Sequence, residues 1–324
     1  MKQRLFYFVL FTSLLGFGGC NSSGESSGGI NTGDFVVTSP YAEVAAKMDK
    51  FVEVSVTVNG VPGNFILDTG ADSFLVSPEF AVEAGLDDSG TVNIVTIAGI
   101  SETEVRRIEH FQFGSIEGYD IDAAVVDLAG FDGAIGKPLL EHALVSIDFV
   151  NEVISLGDPS ISRLSTMGSN FQLLSANNLE LPEIAINSQI LRDVRLDTGN
   201  AGGVILSDPE VGQELLADAE LSVATTVTAT NGSLDGTAMI ADTLSIGSAK
   251  LEDQFVVVVD LPDQNSDVAA KSNTSLLGNL VLKQFVVGID MSRGELLLVH
   301  VRSLSYGLSN GGLRGVSLFQ EVVG

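Results

Sequence analysis

The sequence contains a single cysteine, Cys20, among 324 residues. An intramolecular disulfide is excluded, as is a zinc site built from several cysteines, so the fold has to hold by packing alone. Histidine is scarce as well: His110, His142 and His300 are the only three, and no two stand at metal-ligand spacing. Basic residues are few. Lys and Arg number 16 against 42 Asp and Glu, a formal net charge of −26, which repels a phosphate backbone and excludes nucleic acid as a partner. The sequence has no HExxH and no GxxxxGK[ST], so zincin and P-loop chemistry have no support. After the first fifteen residues no stretch is apolar for long enough to cross a bilayer as a helix.

Apolar residues make up 45% of the chain, which argues against disorder of the whole. The length suffices for two compact β domains with their own cores. An acidic surface favours solubility, suits screening by salt and attracts cationic ligands over anionic ones.

The N-terminus reads as an export signal. Lys2 and Arg4 precede an apolar stretch from Leu5 to Leu15, which Gly18-Gly19-Cys20 follows. Small residues before a lone cysteine resemble a bacterial lipobox, although Phe17 stands where that pattern prefers Leu. The resemblance implies lipidation at Cys20 and a chain exported and anchored to the cell envelope, in the periplasm or at the surface. Asn21, next after the cysteine, implies the outer membrane if the host is Gram-negative. Residues 21–34 are rich in Ser and Gly, the composition of a flexible tether.

An internal duplication organises the rest. Asp-Thr-Gly occurs at 68–70 and again at 197–199, preceded by Leu67 and Leu196. Apolar β runs follow, Phe74 to Val76 and Val204 to Leu206, ending in Ser77 and Ser207. A short helix is expected after each: Ser77 caps one, with Pro78 in its first turn and Gly85 at its end, and Ser207 or Asp208 caps the other before Pro209. FQFGS at 111–115 matches LSIGS at 244–248, each before an apolar strand. Ile135-Gly136 is followed by Asp148, and Leu277-Gly278 by Asp290, both twelve residues on. Alternation from Phe51 to Val58 and the Asn59-Gly60 turn signal predict a hairpin. The fold class expected is all-β, with two similar β-barrel lobes, a cleft between them and few short helices. The organisation reads as a signal peptide at 1–20, a tether at 21–40, a first lobe at 41–157, a linker at 158–170, a second lobe at 171–301 and a tail at 302–324.

Two carboxylates brought close cannot both ionise, so they share a proton. One then serves as base and the other as acid, which is what direct attack of water on an amide needs. Neither a metal nor a covalent intermediate is required. A glycine after Asp-Thr allows two such loops to approach closely, and a threonine hydroxyl can brace each loop by donating and accepting.

The segment FILDTGADSFLVS, 65–77, resembles the active-site signature of retropepsin-like aspartic proteases. Ala134-Ile135-Gly136 and Leu276-Leu277-Gly278 resemble that family's apolar-apolar-Gly element. Retroviral members carry one lobe per chain and dimerise, whereas pepsin-like members carry two. With two retropepsin-sized lobes over about 41–301, this chain resembles a fused bacterial form. The absence of tryptophan, and of a tyrosine in the first flap, leans toward the retropepsin branch. The resemblance implies an aspartic endopeptidase in which Asp68 and Asp197 are the catalytic pair. It makes Thr69, Gly70, Thr198 and Gly199 the loop supports, and Ile135, Gly136, Leu277 and Gly278 the packing element. Flaps are expected at Ala98, Gly99 and Ile100 and at Asn231 and Gly232, over an extended peptide or protein substrate. Asp72 is expected to brace structure near the subsites. No metal or cofactor is expected, and one chain should suffice as a monomer. The alternative is a non-catalytic peptide-binding or structural envelope protein on the same fold. The second loop departs from the family pattern, continuing as Asn200-Ala201-Gly202-Gly203 with one extra residue, which leaves its geometry open.

Overall fold

The computed structural model describes residues 30–96, 99–164, 169–172, 179–259 and 274–301, with the strand fragments Gly16–Phe17 and Phe319–Glu321. Cys20, most of the expected signal and tail, and residues 21–29 of the expected tether lie outside the described residues, as does Ala98, whereas Asp34–Val37 of the expected tether forms a strand antiparallel to Ile116–Val125. No helix among the described residues is long and apolar enough to cross a membrane.

Among the described residues the architecture is all-β with four short helices. Two closed rings of six strands carry it. The first runs Gly99–Phe113, Glu53–Val58, Val61–Leu67, Gly133–Ile135, Phe74–Val76 and Ile116–Val125, then back to Gly99–Phe113. The second runs Gly232–Ile246, Glu180–Ile186, Gln189–Leu196, Ser275–Leu277, Val204–Leu206 and Ala249–Val259, and closes the same way. Strand order and direction match one for one. In each ring the strand entering the Asp-Thr-Gly loop pairs parallel with the strand that ends at the apolar-apolar-Gly element.

Local chemistry accounts for the elements. Asn59 and Gly60 both take positive φ, which closes the hairpin from Val58 to Val61. The Ser77 hydroxyl accepts the Phe80 amide at 3.1 Å and starts the helix Pro78–Glu83, which Gly85 follows at φ +62°. Asp208 accepts the amides of Glu210 and Val211 and starts Pro209–Asp218, the matching helix of the second barrel. FQFGS and LSIGS form matching turns, with Gly114 and Gly247 at φ +56° and +57°.

A six-stranded sheet joins the two halves. The strand after each repeat, Leu144–Asp148 and Phe285–Asp290, pairs antiparallel with its counterpart at the centre. Asp148 accepts the amides of Val150 and Asn151, while Asp290 holds Ser292 and Arg293, so both close turns before a final strand. One apolar core runs through both barrels. Two smaller clusters cover the opposite faces of the sheets, where the barrels look at each other across the cleft.

Candidate active site

The two Asp-Thr-Gly loops meet where the barrels face each other. Each aspartate leaves a ring strand with its amide tied to the packing element: Asp68 N donates to Ile135 O at 2.9 Å and Asp197 N to Leu277 O at 3.0 Å. Each carboxylate then turns back on its own loop. Gly70 N donates to Asp68 Oδ1 at 2.9 Å and Gly199 N to Asp197 Oδ1 at 3.0 Å. A Cβ placed on Gly199 would lie 2.5 Å from the Asp68 carboxyl, so only glycine admits this approach.

The threonines tie the loops crosswise. Thr69 N donates to Thr198 Oγ1 and Thr198 N to Thr69 Oγ1, both at 3.0 Å. Each hydroxyl then donates to the opposite strand, Thr69 to Leu196 O at 2.9 Å and Thr198 to Leu67 O at 2.6 Å. Both side chains are fully buried.

The extra residue of the second loop is absorbed beyond the triplet. Asn200 folds it, accepting the Gly202 amide at 2.8 Å and donating to Gly203 O at 3.4 Å. The triplets themselves therefore keep the same geometry. Gly136 and Gly278 let the packing elements close on the loops: a Cβ on Gly136 would lie 2.1 Å from Ser73 O, and one on Gly278 2.5 Å from Gly202 O.

Asp68 is 4% exposed and Asp197 is fully buried, and their carboxyls are hydrogen-bonded to each other. Burial pushes the Asp68 carboxyl up from 3.8 to about 6. The Gly70 and Ala71 amides, the bond from Asp197 and the Lys137 charge pull the other way without offsetting it. The pair can hold one proton near neutral pH.

Two cations in the site escaped the sequence reading. Lys137, directly after Gly136, is 3% exposed and forms an ion pair with Asp72. Burial lowers its pKa, Arg195 pushes the same way, and Asp72 and Asp68 oppose. The ion pair ties Asp72 of the first loop to the residue after Gly136. Asn279 holds the place of Lys137 in the second barrel and donates to Thr198 O at 2.8 Å and Lys50 O at 2.9 Å. The second cation, Arg195, lies two residues before Asp197. An adjacent charge next to a repeated motif is the only hint that the sequence offers for either.

The hairpin ends meet over the cleft. Asn231 Nδ2 donates to Gly99 O at 3.0 Å and Ser101 Oγ at 3.3 Å, and Thr96 Oγ1 is hydrogen-bonded to Asn231 Oδ1. Ile94 packs in the apolar cluster of the first barrel, and Val95 joins Val227 and Ala229 in that of the second. Ile100 is exposed, and Gly232 heads the returning strand of the second hairpin. His110 and His142 are stacked on Tyr119 and Phe35. No metal-holding group of His, Cys, Asp or Glu occurs among the described residues.

Residues 54–139 match the family model of the aspartyl proteases. That stretch holds the first Asp-Thr-Gly loop, the hairpin of Asp87–Thr96 and Gly99–Phe113, and Ile135-Gly136, and it ends before the second loop. No curated protein matches the chain. The aspartyl protease match supports hydrolysis of peptides by aspartate chemistry.

Proposed function

We propose that the protein is an aspartic endopeptidase in which Asp68 and Asp197, one from each half of the chain, activate a water against a peptide bond. The observation that carries this reading is the contact between the two buried carboxyls, with Asp68 raised to about 6. The ionised member takes a proton from the water as the oxygen attacks the carbonyl carbon. The protonated member donates to the carbonyl oxygen, giving a neutral tetrahedral intermediate. On collapse the carboxyl that took the water's proton passes it to the leaving nitrogen, while the other takes a hydroxyl proton from the intermediate, so that the pair again holds one proton. The paired threonines hold the carboxyls within reach of one water, and such positioning is worth several orders of magnitude in rate. The bridged hairpin ends serve as flaps that exclude bulk water and pair with an extended substrate backbone. One chain supplies both aspartates, so the active species is a monomer.

Cleavage of a diverse peptide library across pH tests this reading. Wild type should cut, best under mildly acidic conditions, while Asp68→Asn and Asp197→Asn should each lose the activity. Equal cleavage by wild type and variants would eliminate it. A wild type that cuts nothing under any of these conditions would favour a peptide-binding or structural role for the fold.

For the leader we propose export and a lipid anchor at Cys20, on the composition of the first 34 residues. Metabolic labelling with a fatty acid should mark the wild type and miss Cys20→Ser.

A further inference from the structure

Arg195 stands two residues before Asp197, as Ile66 stands two before Asp68. Side chains along the strand Gln189–Leu196 alternate. Val194 and Leu196 point into the main core, so Arg195 points to the opposite face. Its partner on the neighbouring strand, Leu276, lies on that face with Ile205, and Val95 and Val227 cover it from the hairpins. In the first barrel the corresponding place is apolar: Ile66 packs there with Leu75, Ile94 and Ala134. The duplication has therefore put a guanidinium where the other half keeps a hydrocarbon.

This guanidinium is 4% exposed, and its Nε and Nη1 are buried without a hydrogen-bond acceptor. The charged groups around it are otherwise engaged. Asp72 holds Lys137, whose charge adds to that of Arg195 rather than offsetting it. Asp68 takes the Gly70 amide and the bond from Asp197. Glu180, opposite Arg195 on the adjacent strand, forms no ion pair with it. Buried donors left without partners are costly in a folded protein, and a carboxylate is the acceptor that also offsets the charge of a guanidinium.

We propose that Arg195 forms a carboxylate-binding subsite in the cleft, and that the preferred substrate carries an Asp or Glu side chain next to the bond set before Asp68 and Asp197. The inference rests on the endopeptidase reading for its substrate class, while the subsite itself is a matter of binding. The carboxylate inserts beneath the hairpins, accepts from the guanidinium and offsets its charge, which the neighbouring Lys137 does not. An amide side chain of the same shape offers one oxygen and no charge.

Binding decides the matter without any need for turnover. Blocked octapeptides, acetylated and amidated so that one side chain supplies the only carboxylate, are titrated into the full-length Asp68→Asn protein at pH 7. Glu and Gln are exchanged at each position in turn. At one position Glu should bind about 30-fold or more tightly than Gln, and Asp68→Asn combined with Arg195→Leu should lose that difference. Leu fits the pocket as Ile66 fits its counterpart, and thermal melting of the double variant confirms its fold. Absence of a Glu preference at every position would overturn the proposal, as would a preference that survives Arg195→Leu. Cleavage of the same peptides by wild type is scored apart. Glu-dependent binding without cleavage would sink the peptidase reading alone, and cleavage indifferent to Glu, with indifferent binding, would sink this one alone.

Discussion

Thr69 and Thr198 each receive the other's backbone amide on the side-chain hydroxyl, at 3.0 Å in both directions. No water reaches them, because both residues are fully buried. Thr198→Ala strips the Thr69 amide of its acceptor and Leu67 O of its donor. The expected loss is about 2–3 kcal/mol of stability, with at least a tenfold loss of peptide turnover as the carboxyls drift apart. Thr198→Ser keeps the hydroxyl and should retain most of both. The double variant Thr69→Ala/Thr198→Ala should cost less than the sum of the singles, since either one breaks the same crossed pair. Urea unfolding and steady-state turnover measure all four, and strict additivity in stability would contradict the coupling.

Asp68 makes stability depend on pH in a direction opposite to an ordinary paired carboxylate. Its folded-state value of about 6 lies above the unfolded 3.8, so the native state binds more protons between these values. The contribution is fully present below about pH 3.8 and is lost as pH rises through about 6. Asp68→Asn removes the penalty of a buried charge. Its melting temperature should exceed that of wild type at pH 7, by the equivalent of roughly 2–3 kcal/mol, and approach that of wild type near pH 4. Calorimetry at the two pH values checks it; equal curves at pH 7 would show that Asp68 ionises at no cost.

Lys137 sets the alkaline limit of the carboxyl pair. Its charge pulls the Asp68 value down, against the larger upward push of burial. Replacing it with Met removes that pull and leaves the Asp72 carboxylate without its partner, and both changes favour protonation of the pair. The alkaline limb of the pH–rate profile should move to higher pH in Lys137→Met, while the variant loses a few kcal/mol of stability because a largely buried ion pair is broken. A limb that stays in place would mean that Lys137 serves packing only.

The duplication was legible in the sequence because it rests on local chemistry. Ser77 and Asp208 cap helices, Asn59-Gly60 and Gly114-Ser115 close turns, and Asp-Thr-Gly repeats between apolar runs. Each of these is decided within a few residues, so spacing alone exposes it. The central sheet was not legible, since the pairing of Val145 with Ile289 and of Ile147 with Val287 spans the whole chain and leaves no local mark. The cations of the site were missed for a related reason. Lys137 follows a glycine in an otherwise apolar stretch and Arg195 stands in an ordinary alternating strand, so their burial depends on the second barrel and the hairpins closing over them. The extra residue after Gly199 raised doubt in the sequence. Its resolution required the side chain of Asn200, which takes up the slack without moving the triplet.

Asn231 is the remaining test of how the cleft closes. One side chain of the second hairpin spans to Thr96, Gly99 and Ser101 of the first, and these are the polar links between the two ends among the described residues. Apolar contact of Val95 with Val227 and Ala229 lies behind them and has no directional preference of its own. Asn231→Ala therefore leaves the hairpins packed but unlatched. Each lost hydrogen bond is worth about 1 kcal/mol, so loss of the three should make opening of the ends on the order of a hundredfold more frequent. Hydrogen exchange should quicken in the strands Asp87–Thr96 and Ser222–Ala229, while the ring strands Val61–Leu67 and Gln189–Leu196 keep the wild-type rate. Substrate KM should rise more than kcat falls, because the catalytic carboxyls sit on the rings and the latch acts on the ground-state complex. Unchanged exchange in both hairpins would show that apolar packing alone holds the ends together, and that Asn231 has no part in closing the cleft.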